Sequence, residues 1–247
     1  MRVKTTDLQN SFGKYLALVE KEDIIITKNG KSVAKLIPYK DPYDYILREQ
    51  KEQYNPQKRT TYEEYKALVE KNDKNYELID GEIFLLSSPG YYHQVVVNEI
   101  AGQFYNFFKN RSCSSLTSPL DVKLSGYAIK FEEDPNVVQP DILVICDEEK
   151  INEKNEYEGT PSLIVEVLSS STKRKDQVLK LNLYIKSGVQ EYWIVDLGKK
   201  IIYQYCFNQD RNLENLEVFR EGETISSPAF PGLKISPKEI FSQIKGN

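Results

Sequence analysis

Cysteine is scarce in this chain, and long apolar runs are missing. The three cysteines, Cys113, Cys146 and Cys206, are widely spaced and odd in number. That pattern fits neither a disulfide framework nor a zinc site, so all three are expected as reduced core thiols. No apolar run approaches the roughly 20 residues of a membrane-spanning helix. The opening residues MRVKTTDLQN lack the apolar centre of a secretory signal. No membrane association is expected, and a cytoplasmic location is the default. What is present is ordinary for a soluble globular protein: 247 residues, 40% apolar and 28% charged, enough for one good-sized core and a small extra module.

Charge is unevenly distributed. Residues 1–40 carry eight basic residues against four acidic ones, a balance of +4; the total is −4, so the remainder is −8. A basic head favours phosphate contacts, although a solvated lysine-rich face has the same composition.

The head reads as a short strand, a helix and a hairpin. Thr6 or Asp7 can cap a helix running to about Glu20, with Leu8, Phe12, Tyr15, Leu16 and Val19 at helical spacing. The run DIIITKNGKSVAKLIP then places Asn29-Gly30 between two β-rich segments, a pair suited to a tight hairpin turn. So small a unit needs a partner to bury its apolar face, which predicts a homodimer. The stretch KTTDLQNSFGKYLALVEKEDIIITKNGKSVAKLIP resembles the N-terminal domain of the Phd/YefM antitoxins. The resemblance implies a βαββ module that dimerises and binds operator DNA, with Lys4, Asn10, Ser11 and Lys14 as DNA contacts and a toxin as a further partner. A module that only dimerises is the competing reading. DPYDYILREQKEQYNPQKRTT follows as a linker with a short helix, so the expected domains are 1–55 and 56–247.

In the second domain, Thr61 and Glu64 form a capping-box signature for the helix TTYEEYKALVEK. YELIDGEIFLL is a hairpin about Asp80-Gly81, and alternation puts Glu77 either into the domain or on an exposed edge. In YYHQVVVNEIAGQFYNFFKN, His93, Val97, Ile100, Phe104 and Phe107 form one stripe. The chain's single histidine therefore starts a buried face, as a core residue or as part of a site. Strands are expected at 120–125, 137–146, 162–169 and 191–196.

Two of these strands carry a carboxylate inside an apolar run, Asp141 and Glu166. A buried ionised carboxylate is costly unless it protonates, pairs or binds a metal, and two neighbouring ones repel each other. A hard divalent ion, Mg²⁺ or Mn²⁺, would answer both problems; a structural pairing with lysine is the alternative.

The blocks YELIDGEI, HQVVVNEI, VQPDILVI, PSLIVEVLSSST, KDQVLKLNLYIKSGVQEYWIVD and FPGLKISPKEIF resemble the Uma-type restriction endonucleases and, more broadly, the PD-(D/E)XK nuclease fold. The fold implied is α+β or α/β: a mixed central sheet flanked by helices. The catalytic lysine of such nucleases lies two residues after the strand acid, where this chain has Leu168. At about 100° per residue, Lys175, Asn182 and Lys186 cluster as a polar seam expected to face water, and Lys180 falls on the inward side. The resemblance likewise implies a lysine moved to this helix. The expected centre is Asp141 and Glu166 with the Val167 backbone carbonyl holding the metal, Lys180 acting on the attacking water, Glu77 and His93 lining the site and Gln139 supporting it from behind. The expected function is a metal-dependent DNA endonuclease, fused to an antitoxin-like module as a toxin-antitoxin fusion. The alternatives are a non-catalytic DNA-binding regulator with a degenerate nuclease domain, or an interaction protein that pairs with a separate toxin.

Overall fold

The computed structural model describes residues 1–19, 24–36, 59–126, 128, 130–169 and 175–244. The chain divides into two compact units, 1–54 and 55–247. The linker helix expected after residue 40 lies outside the described residues.

In the first unit, strand β1 (Arg2–Lys4) leads into helices α1 (Thr5–Asn10) and α2 (Phe12–Val19), followed by β2 (Ile24–Lys28) and β3 (Lys31–Leu36). The single helix expected from residue 6 or 7 is two: Ser11 at φ −144° breaks it, and Lys4, without a side-chain cap, precedes it. β1 pairs parallel with β2, which pairs antiparallel with β3. The hairpin turns as its sequence demands, with Asn29 at φ 51° and Gly30 at φ 75°. Its core is small: Val3, Val19 and Ile24 are buried, backed by Leu8, Tyr15, Leu18 and Leu36.

The second unit opens on α3 (Tyr62–Glu70) with the expected capping box: the Glu64 N–H donates to Thr61 Oγ1 at 3.2 Å and the Thr61 N–H donates to Glu64 Oε2 at 2.8 Å. The hairpin β4 (Tyr76–Ile79) and β5 (Glu82–Leu85) turns through Asp80 and Gly81, both at positive φ. The long helix α4 (Tyr91–Phe108) follows, and then β6 (Ser114–Thr117) and β7 (Val122–Leu124).

The apolar run expected as one strand over 137–146 is two strands in different sheets, β8 (Asn136–Val138) and β9 (Ile142–Ile145). Pro140 cannot donate a ladder hydrogen bond, so pairing stops there and the chain passes from one sheet to the other at Gln139-Pro140-Asp141. β5-β4-β8-β7 forms a four-stranded sheet. The larger sheet runs β13-β12-β11-β10-β9-β6, with β10 (Leu163–Leu168), β11 (Glu191–Asp196), β12 (Ile201–Phe207) and β13 (Leu213–Phe219). Only β10 and β11 in it pair parallel. The connection between them carries the π-helical turns Lys175–Lys180 and helix α5 (Leu181–Ser187).

One face of the six-stranded sheet is covered by α4. Val96, Val97, Ile100, Phe104 and Phe108 pack with Leu163, Val165, Val167 and Trp193, and with Ile240 and Phe241 of the C-terminal helix α6 (Pro237–Phe241). Phe108 takes the buried place expected of Phe107, which packs half-buried beside it. Strand alternation sends Glu166 to the other face, where α5 presents Tyr184 edge-on to Tyr192.

A buried network closes the C-terminal side. The Glu191 carboxylate accepts from Trp193 Nε1 and Gln204 Nε2, both at 2.6 Å, and from Ser227 Oγ at 2.6 Å. Cys113 and Cys146 form a disulfide, which corrects the expectation of three free thiols. Sheet register makes it: Ser114 of β6 stands opposite Ile145 of β9, so the flanking cysteines meet. Cys206 is a buried free thiol. Among the described residues, no helix is long and apolar enough to cross a membrane.

Candidate functional site

Both sheets and two helices contribute to one buried, charged cluster. β10 supplies Glu166, β4 supplies Glu77, the corner before β9 supplies Asp141, α4 supplies His93, and the π-helical turns supply Lys175, Asp176 and Lys180. Lys180 Nζ stands 2.6 Å from Glu166 Oε1 and 2.8 Å from Glu77 Oε1, with Asp176 Oδ1 at 3.9 Å. Its side chain is 2% exposed. The lysine that Leu168 does not supply is thus in contact with the strand acid, reaching from the next element of the chain.

The seam of Lys175, Asn182 and Lys186 does not face water as expected. Lys175 donates to Glu77 Oε2, Asn182 is buried and Lys186 is half-buried. The expectation assumed about 100° per residue, and residues 175–180 wind as a π-helix, whose wider turn rotates Lys175 inward beside Lys180.

Glu77 points into the domain and is fully buried. Burial pushes its carboxyl up, but Lys180 and Lys175 outweigh that and hold it below the usual carboxylate range. Its Oε1 also accepts from the Gln139 N–H at 2.9 Å. Gln139 therefore touches the cluster through its backbone; its side chain turns away and donates to Asp121 at 2.7 Å.

Glu166 is the strained acid. Burial drives its carboxyl up, Lys180 pulls it down, and the charges of Asp141, Asp176 and Glu77 push it up again, to about 8. Burial lowers Lys180, yet Glu166, Glu77 and Asp176 together raise it well above its ordinary value. Tyr184 donates its hydroxyl to Glu166 Oε1 at 2.9 Å.

Asp141 accepts from the Val167 N–H at 2.8 Å, and His93 Nε2 lies 3.2 Å from the same oxygen. Burial lowers the His93 imidazole, but Asp141 and a hydrogen bond to the Val167 backbone raise it above its usual value. The structure thus brings Asp141, Glu166, Lys180, Glu77, His93 and Val167 together. Sequence reading missed Lys175, Asp176 and Tyr184. A buried glutamate on β4 was the available signal for a second cation, since one lysine cannot neutralise two carboxylates.

Among the described residues, no three His, Cys, Asp or Glu side chains gather as a metal-ligand group. Asp141 and Glu166 are a pair, which is the number of carboxylates Mg²⁺ typically takes from protein. The donor set is compatible with a cation: burial first, and then the charges of Asp141, Asp176 and Glu77, raise the Glu166 carboxyl despite a lysine in contact with it, and a bound cation would offset both.

In the first unit, Lys4 at the end of β1, Asn10 at the end of α1, Ser11 between the two helices and Lys14 in α2 are all exposed. Lys14 Nζ lies over the Tyr15 ring at 5.9 Å.

A mixed sheet with helices on both faces and a carboxylate–lysine cluster buried against an interior strand is the architecture of a restriction-endonuclease-like domain. Its fold is shared with the crystal structure of "a putative nuclease belonging to DUF820" from Anabaena variabilis, at 24% identity and a TM-score of 0.57, covering 74% of this chain and 97% of that one. The model of Uma2, described as "Putative restriction endonuclease", matches residues 62–238, more than half of the chain, and the chain belongs to that family. Residues 1–74 match the model of the antitoxin Phd_YefM of type II toxin-antitoxin systems. An uncharacterized protein of Synechocystis sp., slr1290, is 28% identical over 149 residues, spanning 60% of this chain and 74% of that protein.

Proposed function

We propose that the chain is a divalent-metal-dependent DNA endonuclease joined, within one polypeptide, to an antitoxin-like DNA-binding and dimerisation module. The observation that carries this reading is the buried contact of Lys180 Nζ with Glu166 Oε1 at 2.6 Å, beside Asp141. It restores the acid–lysine pairing of a nuclease centre although residue 168 is leucine.

Asp141 and Glu166, with the Val167 carbonyl, are the residues that would hold Mg²⁺ or Mn²⁺. Such an ion, when bound, polarises a phosphodiester oxygen and lowers the pKa of a bound water. Lys180, held between Glu166 and Glu77, would orient the attacking water or stabilise the negative charge developing on the phosphoryl oxygens. His93 is held toward Asp141 as a proton-handling or phosphate-contacting group. Glu77 is assigned a positioning role: it fixes both Lys175 and Lys180. In the head, the exposed Lys4, Asn10, Ser11 and Lys14 are the proposed DNA contacts, and its small core supports pairing with a second copy. A toxin bound by the head, or the nuclease domain itself acting as the toxin, is the cellular setting this arrangement suggests.

Purified full chain incubated with supercoiled plasmid and Mg²⁺ or Mn²⁺ tests the reading. Wild type should nick, and Asp141→Asn and Glu166→Gln should each lower the rate by at least about 100-fold, as expected when groups acting on the transition state are lost. No nicking by wild type would sink the nuclease, and nicking by both variants at the wild-type rate would sink this site.

A further inference from the structure

The margin of the cluster on the β5–α4 side carries a surface that the proposed chemistry does not use. Residues 83–92, IFLLSSPGYY, contain no charged side chain, in a chain where 28% of residues are charged. Three large side chains of this stretch project into solvent: Leu85 is 55% exposed, Tyr91 76% and Tyr92 39%. The two tyrosine rings contact each other edge to face with centroids 5.4 Å apart. Tyr91 opens helix α4, and the third residue of that helix is His93, whose Nε2 reaches Asp141 at 3.2 Å. Successive Cα atoms are about 3.8 Å apart, so the pair begins one residue from the proposed centre. Tyr92 lies about 100° round the helix from His93 and Tyr91 about 100° further, which carries the aromatic surface outward from the site.

The edge-to-face contact covers one ring face of the pair, and Tyr91, three-quarters exposed, keeps ring surface open to solvent. Nucleobases stack on such faces irrespective of sequence. Residues 41–247 carry −8, so the domain offers little general attraction for phosphate, and a strand held at this margin must be held through its bases. The first turn of α4 holds no acidic residue, so nothing there repels the phosphate that follows a stacked base. In a duplex the bases are stacked on each other and their faces are closed; only unpaired nucleotides can use the platform.

We propose that Tyr91 and Tyr92 form a base-stacking platform beside the cluster, and that the nuclease domain takes strands with unpaired nucleotides: single strands, flaps or frayed ends. The inference rests on the nuclease reading for its substrate, but its test is a binding measurement in EDTA, which requires no turnover.

Fluorescein-labelled oligothymidylate of 12 nucleotides and a 12-base-pair duplex are titrated with full chain, and anisotropy is read. Tyr91→Ala and Tyr92→Ala should each weaken oligothymidylate binding by about tenfold, the size of effect that loss of one stacking ring produces. Tyr91→Trp should retain wild-type affinity, and duplex binding should be unchanged in all three. Both rings are solvent-exposed, so circular dichroism melts should match wild type. Unchanged oligothymidylate binding in the double alanine variant overturns the platform, as does equal weakening of duplex binding. A change in oligomeric state with no change in oligonucleotide binding would assign the surface to a protein contact and overturn it too. Platform binding without plasmid nicking would sink the nuclease alone; nicking with indifferent tyrosines would sink the platform alone.

Discussion

At the scale of single residues, the site is a charge balance with one surplus acid. Among the described residues, Glu77 is served by two lysines, whereas Glu166 shares one lysine with it and accepts from the Tyr184 hydroxyl. Taking a hydrogen-bond partner away from a buried polar group costs about 1–3 kcal/mol. Tyr184→Phe should therefore destabilise the domain by roughly that amount, read as a shift in the urea midpoint. A midpoint unchanged from wild type would show that the hydroxyl does not carry Glu166. The acids were legible in the sequence because a carboxylate in an apolar strand demands an explanation; Lys180 does point inward, but the angular argument that placed it there assumed an α-helix and a water-facing seam, and neither holds. Lys175 was not legible, because nothing in its local sequence announces a π-helix, and a change in residues per turn moves every side chain off the expected face.

At the scale of elements, the turns and caps follow from local chemistry. Asn29-Gly30 and Asp80-Gly81 turn at positive φ where the sequence places them, and the Thr61–Glu64 box closes the start of α3. Thr61→Ala removes one half of that box and should cost about 1 kcal/mol of domain stability, measured by chemical denaturation. A loss below a few tenths would mean that Glu64 alone holds the helix start. The elements that escaped sequence reading were those decided by long-range pairing. Residues 137–146 look like one strand because both halves are apolar, and only the assignment of β8 and β9 to different sheets reveals Pro140 as a corner. The first helix breaks at Ser11, where no glycine or proline gives warning.

At the scale of the whole molecule, the cysteines are the clearest case of information held by the fold and not by spacing. Cys113 and Cys146 are 33 residues apart and meet through the β6–β9 register. Cys206 is buried, and burial first, with the charges of Glu191, Glu217 and Glu214, pushes its thiol up to about 12. Since the thiolate is the reactive form, the native chain purified without reductant should give almost no reaction with Ellman's reagent at pH 8. Denatured in guanidinium it should give one thiol per chain, and three after reduction. Three thiols before reduction would contradict the bridge. The compact units 1–54 and 55–247 stand beside a charge step near residue 40 and a change of motif in the sequence, signals that are local and need no long-range pairing to be read.

The tie made by Lys180 between Glu77 and Glu166 also has a historical consequence. Those glutamates belong to different sheets, so the lysine proposed for the chemistry also fastens the two layers together. Removing it alone leaves two buried carboxylates short of a cation, a change that costs stability whether or not cleavage is under selection. A descendant with no use for the activity is therefore penalised for losing the centre one residue at a time, and decay is expected to proceed by replacing several members together with apolar side chains.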